Sequence, residues 1–197
     1  MAENPRLQAN GTCDFEGFTD IIFRLLNAAW GTGWGTFVEA YPNNTDPQNI
    51  QTPVISYKLT EMMPGQIGKD GTREMKPRHR DTIFPPGDPS TAIEVYGRIF
   101  DATVIFEIWE ENNTKASLMA TKFIDFMDMY TGYIKQQGVK ELIFRRFSND
   151  TTTGWNENIV SRKVEYFVRF EHLNEIHSDI LTKVTGQVSL SNSQITL

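Results

Sequence analysis

The chain has 197 residues, of which 39% are hydrophobic and 22% charged, and its formal net charge is −6 at pH 7. This length and composition predict a soluble protein with one sizeable core. The acidic balance disfavours a surface dedicated to nucleic acid, and the longest apolar runs are too short to cross a bilayer. We therefore expect no specific nucleic acid and no membrane among its partners.

The single cysteine, Cys13, excludes an internal disulfide and is expected to be a small, half-buried thiol. The N-terminal residues lack the apolar core of a signal peptide. Both features favour assembly in the cytoplasm.

The first predicted element is a helix over residues 14–30, because Phe18, Ile22, Leu25 and Ala29 form one apolar stripe. A connector rich in Gly, Asn and Pro follows over residues 31–52. Its Gly-rich start lacks the Lys-Ser/Thr pair of a phosphate-binding loop, so we expect a turn anchored by Trp34.

A strand is predicted over residues 53–61, and Met62 and Met63 can extend it. Residues 64–91 lack hydrophobic periodicity and are expected to form a long inserted loop. This loop has a local positive excess in an acidic chain. It is either a solvated mobile loop or an arm that meets an acidic protein surface or a phosphate backbone. Its basic residues are Lys69, Arg73, Lys76, Arg78, His79 and Arg80.

The central unit is a strand over residues 93–109 followed by a helix that Thr114 can cap and Gly138 can end in a left-handed conformation. Alternation gives this strand one apolar face and one mixed face. Asp101 and Glu107 on the mixed face are the most plausible buried acids, and we expect them to pair with Arg145 or Arg162. The apolar face comprises Phe100, Ala102, Val104, Phe106 and Ile108.

Two closing strands are predicted over residues 139–147 and 159–172. The first is expected to place Arg145 and Phe147 on the same face. In the second, Arg162 interrupts the apolar face, which suggests a frayed start. Its inward residues are Val160, Val164, Tyr166, Val168 and Phe170, and its outward residues are Lys163, Glu165, Arg169 and Glu171.

The element order predicts an α+β fold: a mainly antiparallel β-sheet with two long helices packed on one face, a long inserted loop and an extended C-terminal tail. We expect a single domain over residues 1–177, with the basic loop at 64–91, and a C-terminal extension over residues 178–197. This Ser/Thr-rich extension is either a frayed tail or a strand added to a neighbouring subunit.

The sequence contains no recognisable catalytic or metal-binding pattern. His172 and His177 are five positions apart and have no third ligand nearby, and neither a Gly-x-Ser-x-Gly nor a Cys-x-x-Cys motif occurs. We therefore expect no enzyme activity, no metal and no cofactor. A small enzyme remains an alternative, and it would need a pocket with convergent polar groups and shifted pKa values.

The chain resembles the tail terminator (tail completion) proteins of tailed bacteriophages. The resemblance rests on FDATVIFEIW at residues 100–109, the following helix through Ile134, Gly138-Val139, and the closing strand RKVEYFVRFE at 162–171. It implies a non-enzymatic structural virion protein that forms a ring, usually of six subunits. Such a ring caps the tail tube, stops its polymerisation and joins the tail to the head.

The same resemblance implies location in the tail or neck of the virion after assembly in the host cytoplasm. The implied partners are further copies of the chain, the tail tube protein, neck or connector proteins, and a sheath protein if the tail contracts. The alternative within virion proteins is a head-completion or neck connector protein that binds the portal side.

Within this interpretation, the basic loop and the mixed face of the central strand supply subunit and tube contacts. Changing Arg73, Arg78 and Arg80 to Glu is expected to abolish attachment to tail tubes and to leave the fold intact. The predicted interface residues are Lys69, Arg73, Lys76, Arg78, Arg80, Trp109, Arg145 and Arg146.

Overall fold

The structure is a computed structural model that describes residues 11–39, 52–67, 71–86, 91–150 and 159–179. Two α-helices and eight β-strands lie in these ranges. The helices are α1 (Phe15–Trp30) and α2 (Asn113–Gln136), and the strands are β1 (Thr36–Glu39), β2 (Val54–Pro64), β3 (Gln66–Ile67), β4 (Thr72–Arg73), β5 (Arg78–Ile83), β6 (Thr91–Glu110), β7 (Glu141–Asp150) and β8 (Val160–Asp179).

The described residues divide into two compact units. The first unit comprises the described residues within Met1–Arg78 and Gly97–Leu173, and the second comprises those within His79–Tyr96 and Asn174–Leu197. The two helices and most of the main sheet belong to the first unit. The predicted boundary between residues 177 and 178 stays a prediction, because the C-terminal residues from 180 onward lie outside the described ranges.

The main sheet has the strand order β1-β2-β6-β8-β7, with β5 also paired to β6, while β3 and β4 form a separate hairpin. β1 runs parallel to β2, whereas β2 with β6 and β7 with β8 are antiparallel. Lys163 lies beside Glu107 and Arg169 beside Asp101, so β6 and β8 also run in opposite directions. The predicted mixed fold, a sheet core with two long helices, is confirmed at this level.

One face of the sheet, which we call the inner face, carries the core. Phe106 of β6 is fully buried, and its ring centroid lies 6.4 Å from Phe18 of α1 and 5.0 Å from Phe123 of α2. Both helices therefore contact the same side chain of the central strand. The inner-face residues of β2, β6 and β8 with 2% exposure or less are Ile55, Ala102, Val104, Phe106, Ile108, Val164, Tyr166, Val168 and Phe170.

Helix α2 begins and ends at residues that satisfy its terminal backbone groups. The Asn112 side chain accepts a hydrogen bond from the Lys115 N–H at 2.9 Å, so Asn112 is the N-cap, and the prediction of Thr114 was wrong. Thr114 already lies within the helix. After the C-terminus, Gly138 has a φ of +109°, and an added Cβ would lie 2.6 Å from the Thr12 carbonyl carbon. The predicted left-handed Gly138 is confirmed.

The segment predicted as an irregular loop contains three short strands, β3, β4 and β5. Most of their side chains are exposed, so no apolar alternation marks them in the sequence. The strand β1 was missed in the preceding connector for a related reason, because only four residues pair there with β2.

Three details of the closing strands differ from the predictions. Arg162 is buried and donates to Asn113 and Ser117 of α2, so it is a fixed residue of the inner face and its strand does not fray there. A bulge between Phe144 and Arg146 shifts the alternation of β7 and places Phe147 opposite the inner-face residue Val164. The strand β8 also extends beyond the predicted end, to Asp179.

Candidate interaction surface on the outer face of the sheet

The other face of the sheet, which we call the outer face, carries charged side chains at alternate strand positions. Three carboxylates, those of Asp101, Glu107 and Glu165, lie low against the strands, with side chains 9%, 12% and 13% exposed. Each of them has two basic partners that reach it from neighbouring strands or from the β3–β4 hairpin. The face is therefore built from cations that lie above covered acids.

Asp101 of β6 holds the best-formed of these ion pairs. Arg169 of β8 donates from Nε to Oδ1 at 2.6 Å and from Nη2 to Oδ2 at 3.1 Å. The Gln66 backbone N–H also donates to Oδ2, and Nη1 of Arg73 lies 4.0 Å from it. The two hydrogen bonds fix the position of Arg169, whereas Arg73, at 4.0 Å, is too far from the carboxylate for a hydrogen bond.

Glu107, six residues further along β6, is contacted by basic side chains from both neighbouring strands. Nζ of Lys58 on β2 lies 2.7 Å from Oε1, and Nζ of Lys163 on β8 lies 3.6 Å from the same oxygen. Residues directly opposite or diagonal on adjacent strands come close enough for such pairs. The alternation of charges along these strands therefore produces the contact.

Glu165 of β8 forms ion pairs with two consecutive arginines of β7, because a bulge places both on the same face. Nε of Arg146 lies 2.8 Å from Oε2, and Nη1 of Arg145 lies 3.9 Å from Oε1. A regular strand would send these neighbours to opposite faces. The Arg145 guanidinium also lies 5.2 Å from the centre of the Phe167 ring, in the range of a cation–π contact.

Arg73 and Arg145 meet at a cavity of about 200 Å³ on the outer face, which Thr103 and Phe167 also line. The exposed Glu61 lies at the same cavity. Glu141, which lies directly opposite Arg169, and Glu171 of β8 belong to the same face and pair with Lys135 and Lys140. The other six cations and four carboxylates, counting Glu61, are the ten residues that we call the outer-face cluster: Lys58, Glu61, Arg73, Asp101, Glu107, Arg145, Arg146, Lys163, Glu165 and Arg169.

The predicted interface residues are only partly brought together. Arg73, Arg145 and Arg146 belong to the outer-face cluster. Trp109 lies elsewhere on β6, where its Nε1–H donates to the Ser56 hydroxyl at 3.1 Å. Lys76 is exposed and lines none of this cavity.

The other basic residues of the predicted loop are also apart from this cavity. Nε of Arg78 lies 3.6 Å from the buried Glu74 carboxylate. Arg80 is exposed and belongs to the second unit, and Lys69 lies outside the described residues.

The expected partners of the buried acids were wrong. Asp101 pairs with Arg169 and Arg73, and Glu107 pairs with Lys58 and Lys163, whereas Arg145 pairs with Glu165. Sequence reasoning missed three cations of the site, Lys58, Lys163 and Arg169, and the carboxylates of Glu61 and Glu165. The available signal was their charge at outward positions of alternating strands, and the missing information was the register between strands.

Cys13, which was expected to be half-buried, is buried at 7% exposure beside a cavity of about 410 Å³ that His172 also lines. Burial raises the pKa of the Cys13 thiol to about 11, and the neighbouring Asp14 carboxylate adds to the rise. The thiol therefore stays protonated at neutral pH and is a poor nucleophile.

Two further findings concern the described ranges only. They contain no group of three or more His, Cys, Asp or Glu side chains placed to hold a metal ion. Neither α1 nor α2 combines the length and the apolar character that a membrane crossing requires. Comparison of the sequence with protein families and with curated proteins found no match.

Proposed function

We propose that the protein is a non-enzymatic structural component of a phage virion, a tail terminator that forms a hexameric ring. The ring caps the tail tube, stops its polymerisation and joins the tail to the neck. One observation supports this most strongly: both helices pack on the inner face of the sheet, and the opposite face presents cations above covered carboxylates.

Exposed ion pairs such as these add little to the free energy of folding, typically less than about 1 kcal/mol each. A second cation on each carboxylate, such as Arg145 at 3.9 Å from Glu165, adds less still. Charge arranged in this way mainly sets the partner and the speed of association. The outer face is therefore better explained by a partner than by the stability of the monomer.

The basic residues that lie apart from the outer-face cluster fit contact with the tube. Lys76, Arg78 and Arg80 are exposed on an acidic chain, although Arg78 also approaches Glu74. We assign these residues to the tail tube and the outer-face cluster to the neighbouring subunit.

Tube growth in vitro tests the proposal. Tube subunits from the same virus are allowed to polymerise with and without the full chain, and tube lengths are measured by negative-stain microscopy. The wild-type chain is expected to halt elongation. A variant with Lys76→Glu, Arg78→Glu and Arg80→Glu is expected to lose this effect because its reversed charges repel an acidic tube end.

A variant with Arg24→Glu is the control, because it reverses an exposed charge on α1, away from the basic residues assigned to the tube. It should still halt elongation. Equal tube lengths with and without the wild-type chain would refute the terminator proposal. Binding to portal rings in place of tubes would favour the head-completion or neck connector alternative.

A further inference from the structure

We propose that the outer-face cluster of one copy binds the solvent-facing stripe of α2 on a second copy, in a head-to-tail contact. This inference rests on the ring in the proposed function and names the two surfaces that build it. It follows from the side chains exposed on α2, from charge complementarity, and from the positions of the two surfaces in the first unit.

The solvent-facing side of α2 carries three large hydrophobic side chains. Leu118, Met129 and Tyr133 are 71%, 76% and 47% exposed, and their spacing places them on one side of the helix. The buried residues of α2, which include Phe123 and Met127, lie on the opposite side against the sheet. A line of exposed apolar residues on a helix whose core contacts are already complete is typical of a contact surface.

Acidic residues accompany this apolar line. Asp125 falls between Leu118 and Met129 along the helix face, and Asp128 lies at its margin; both are exposed. Lys122 is the cation within the stripe, and its Nζ lies 4.3 Å from the centre of the Trp30 ring. The α2 stripe, defined by Leu118, Lys122, Asp125, Asp128, Met129 and Tyr133, therefore combines an apolar line with two carboxylates and one cation.

The outer face offers the complementary chemistry. Arg145 lines the cavity and approaches its carboxylate only at 3.9 Å, so it can turn to a new carboxylate while Arg146 keeps Glu165. Arg73 lines the same cavity; its Nη1 donates to the Pro64 carbonyl at 2.7 Å, and its guanidinium has further N–H donors for a new carboxylate. Ile143, half exposed on β7 and opposite Phe167, supplies an apolar neighbour. In the proposed contact an aspartate of the α2 stripe lies between the two arginines, in a cavity that Glu61 and Asp101 also line, and Met129 packs beside Ile143.

The two surfaces lie on opposite sides of a two-layer arrangement, because α2 covers the inner face and the cluster lies on the outer face. A contact between them is heterologous, so each copy keeps one surface free for the next copy. Repetition closes into a ring when the rotation between copies allows it. A twofold dimer formed through one of these surfaces would leave the other uncovered.

A charge-swap experiment on the full chain tests this contact. The outer-face variant carries Arg73→Glu and Arg145→Glu, which spares the short ion pairs of Arg169 and Arg146. The helix variant carries Asp125→Lys and Asp128→Lys. Each variant alone places like charges across the contact, so its self-association should weaken at least about 100-fold. Mass is measured by light scattering, with circular dichroism as the check on folding.

An equimolar mixture of the two variants should recover the wild-type mass, because an alternating ring of even number pairs opposite charges at every contact. The chain that carries all four substitutions should recover it alone. Recovery would also show that the variants are folded. The inference is overturned if each variant keeps the wild-type mass, if the mixture stays dissociated, or if the wild-type chain is a monomer at every concentration.

These outcomes separate the inference from the proposed function. A wild-type chain that halts tube growth while the swap has no effect would leave the terminator proposal standing and refute this contact. A swap that works in a protein that leaves tube growth unchanged would establish the contact and refute the terminator proposal.

Discussion

The two faces of the sheet use the same strands for different purposes. On β6, Phe106 points to the inner face and meets aromatic rings of both helices, while its neighbour Glu107 points to the outer face and holds two lysines. The inner-face side chains at the centre of β6 and β8 are close to fully buried, whereas the side chains of the outer-face cations are 27% to 69% exposed. The inner face determines the fold, and we assign the outer face to partner recognition.

The largest expected effect on stability comes from the inner face. Phe106→Ala removes a fully buried ring that lies among Phe18, Phe123 and Tyr166, and its cost should be about 3–5 kcal/mol of unfolding free energy. Urea unfolding followed by circular dichroism measures it. Ile143→Ala on the outer face is the control and should change stability by less than about 0.5 kcal/mol. Similar losses from both substitutions would break the comparison.

The second prediction compares an inner-face arginine with an outer-face arginine. Arg162 is buried and donates to Ser117, Asn113 and the Ser161 carbonyl, so Arg162→Met should cost about 1–3 kcal/mol because these acceptors lose their donor. Arg146→Met removes an ion pair whose arginine is 69% exposed, so stability should change by less than about 1 kcal/mol. Urea unfolding measures the loss of unfolding free energy in each variant, and equal losses would contradict the difference expected from burial.

The third prediction concerns helix α2, which packs one side on the inner face of the sheet and exposes the α2 stripe on its other side. Asn112→Ala removes the side chain that caps the helix and should cost about 1 kcal/mol. Thr114→Ala should cost less, because Thr114 lies inside the helix and is exposed. A larger loss for Thr114→Ala in thermal unfolding would return the cap to the position that the sequence suggested.

The last effect is absent at neutral pH and is a dependence of stability on alkaline pH at the buried Cys13. Cys13 has a pKa of about 11 in the folded chain, above its ordinary value of 9.0, so the unfolded chain loses this proton first. Its contribution to stability is complete below pH 9 and decreases as the pH rises towards 11. The difference in unfolding free energy between the wild-type chain and Cys13→Ala should shrink over this interval. A constant difference would show that the thiol titrates normally in the fold.

The comparison also explains what the sequence could predict. The inner face of β6 and β8 was predictable, since apolar residues alternate there and recur along both helices. The exposed strands β3, β4 and β5 were not, because their side chains carry no such pattern. The bulge at Arg145 moved Phe147 to the other face. The partners of Asp101 depend on strand register, and Arg162 resembled a frayed end because its acceptors lie on a distant helix.

The central claim is that the outer face is a surface for self-assembly through charge. The most direct test is the mass of the wild-type chain in solution, measured by light scattering over a concentration series at low and at high salt. The account predicts one closed oligomer at low salt that dissociates as salt screens the exposed charges. A monomer at every concentration, or an oligomer whose mass and affinity do not respond to salt, would contradict it.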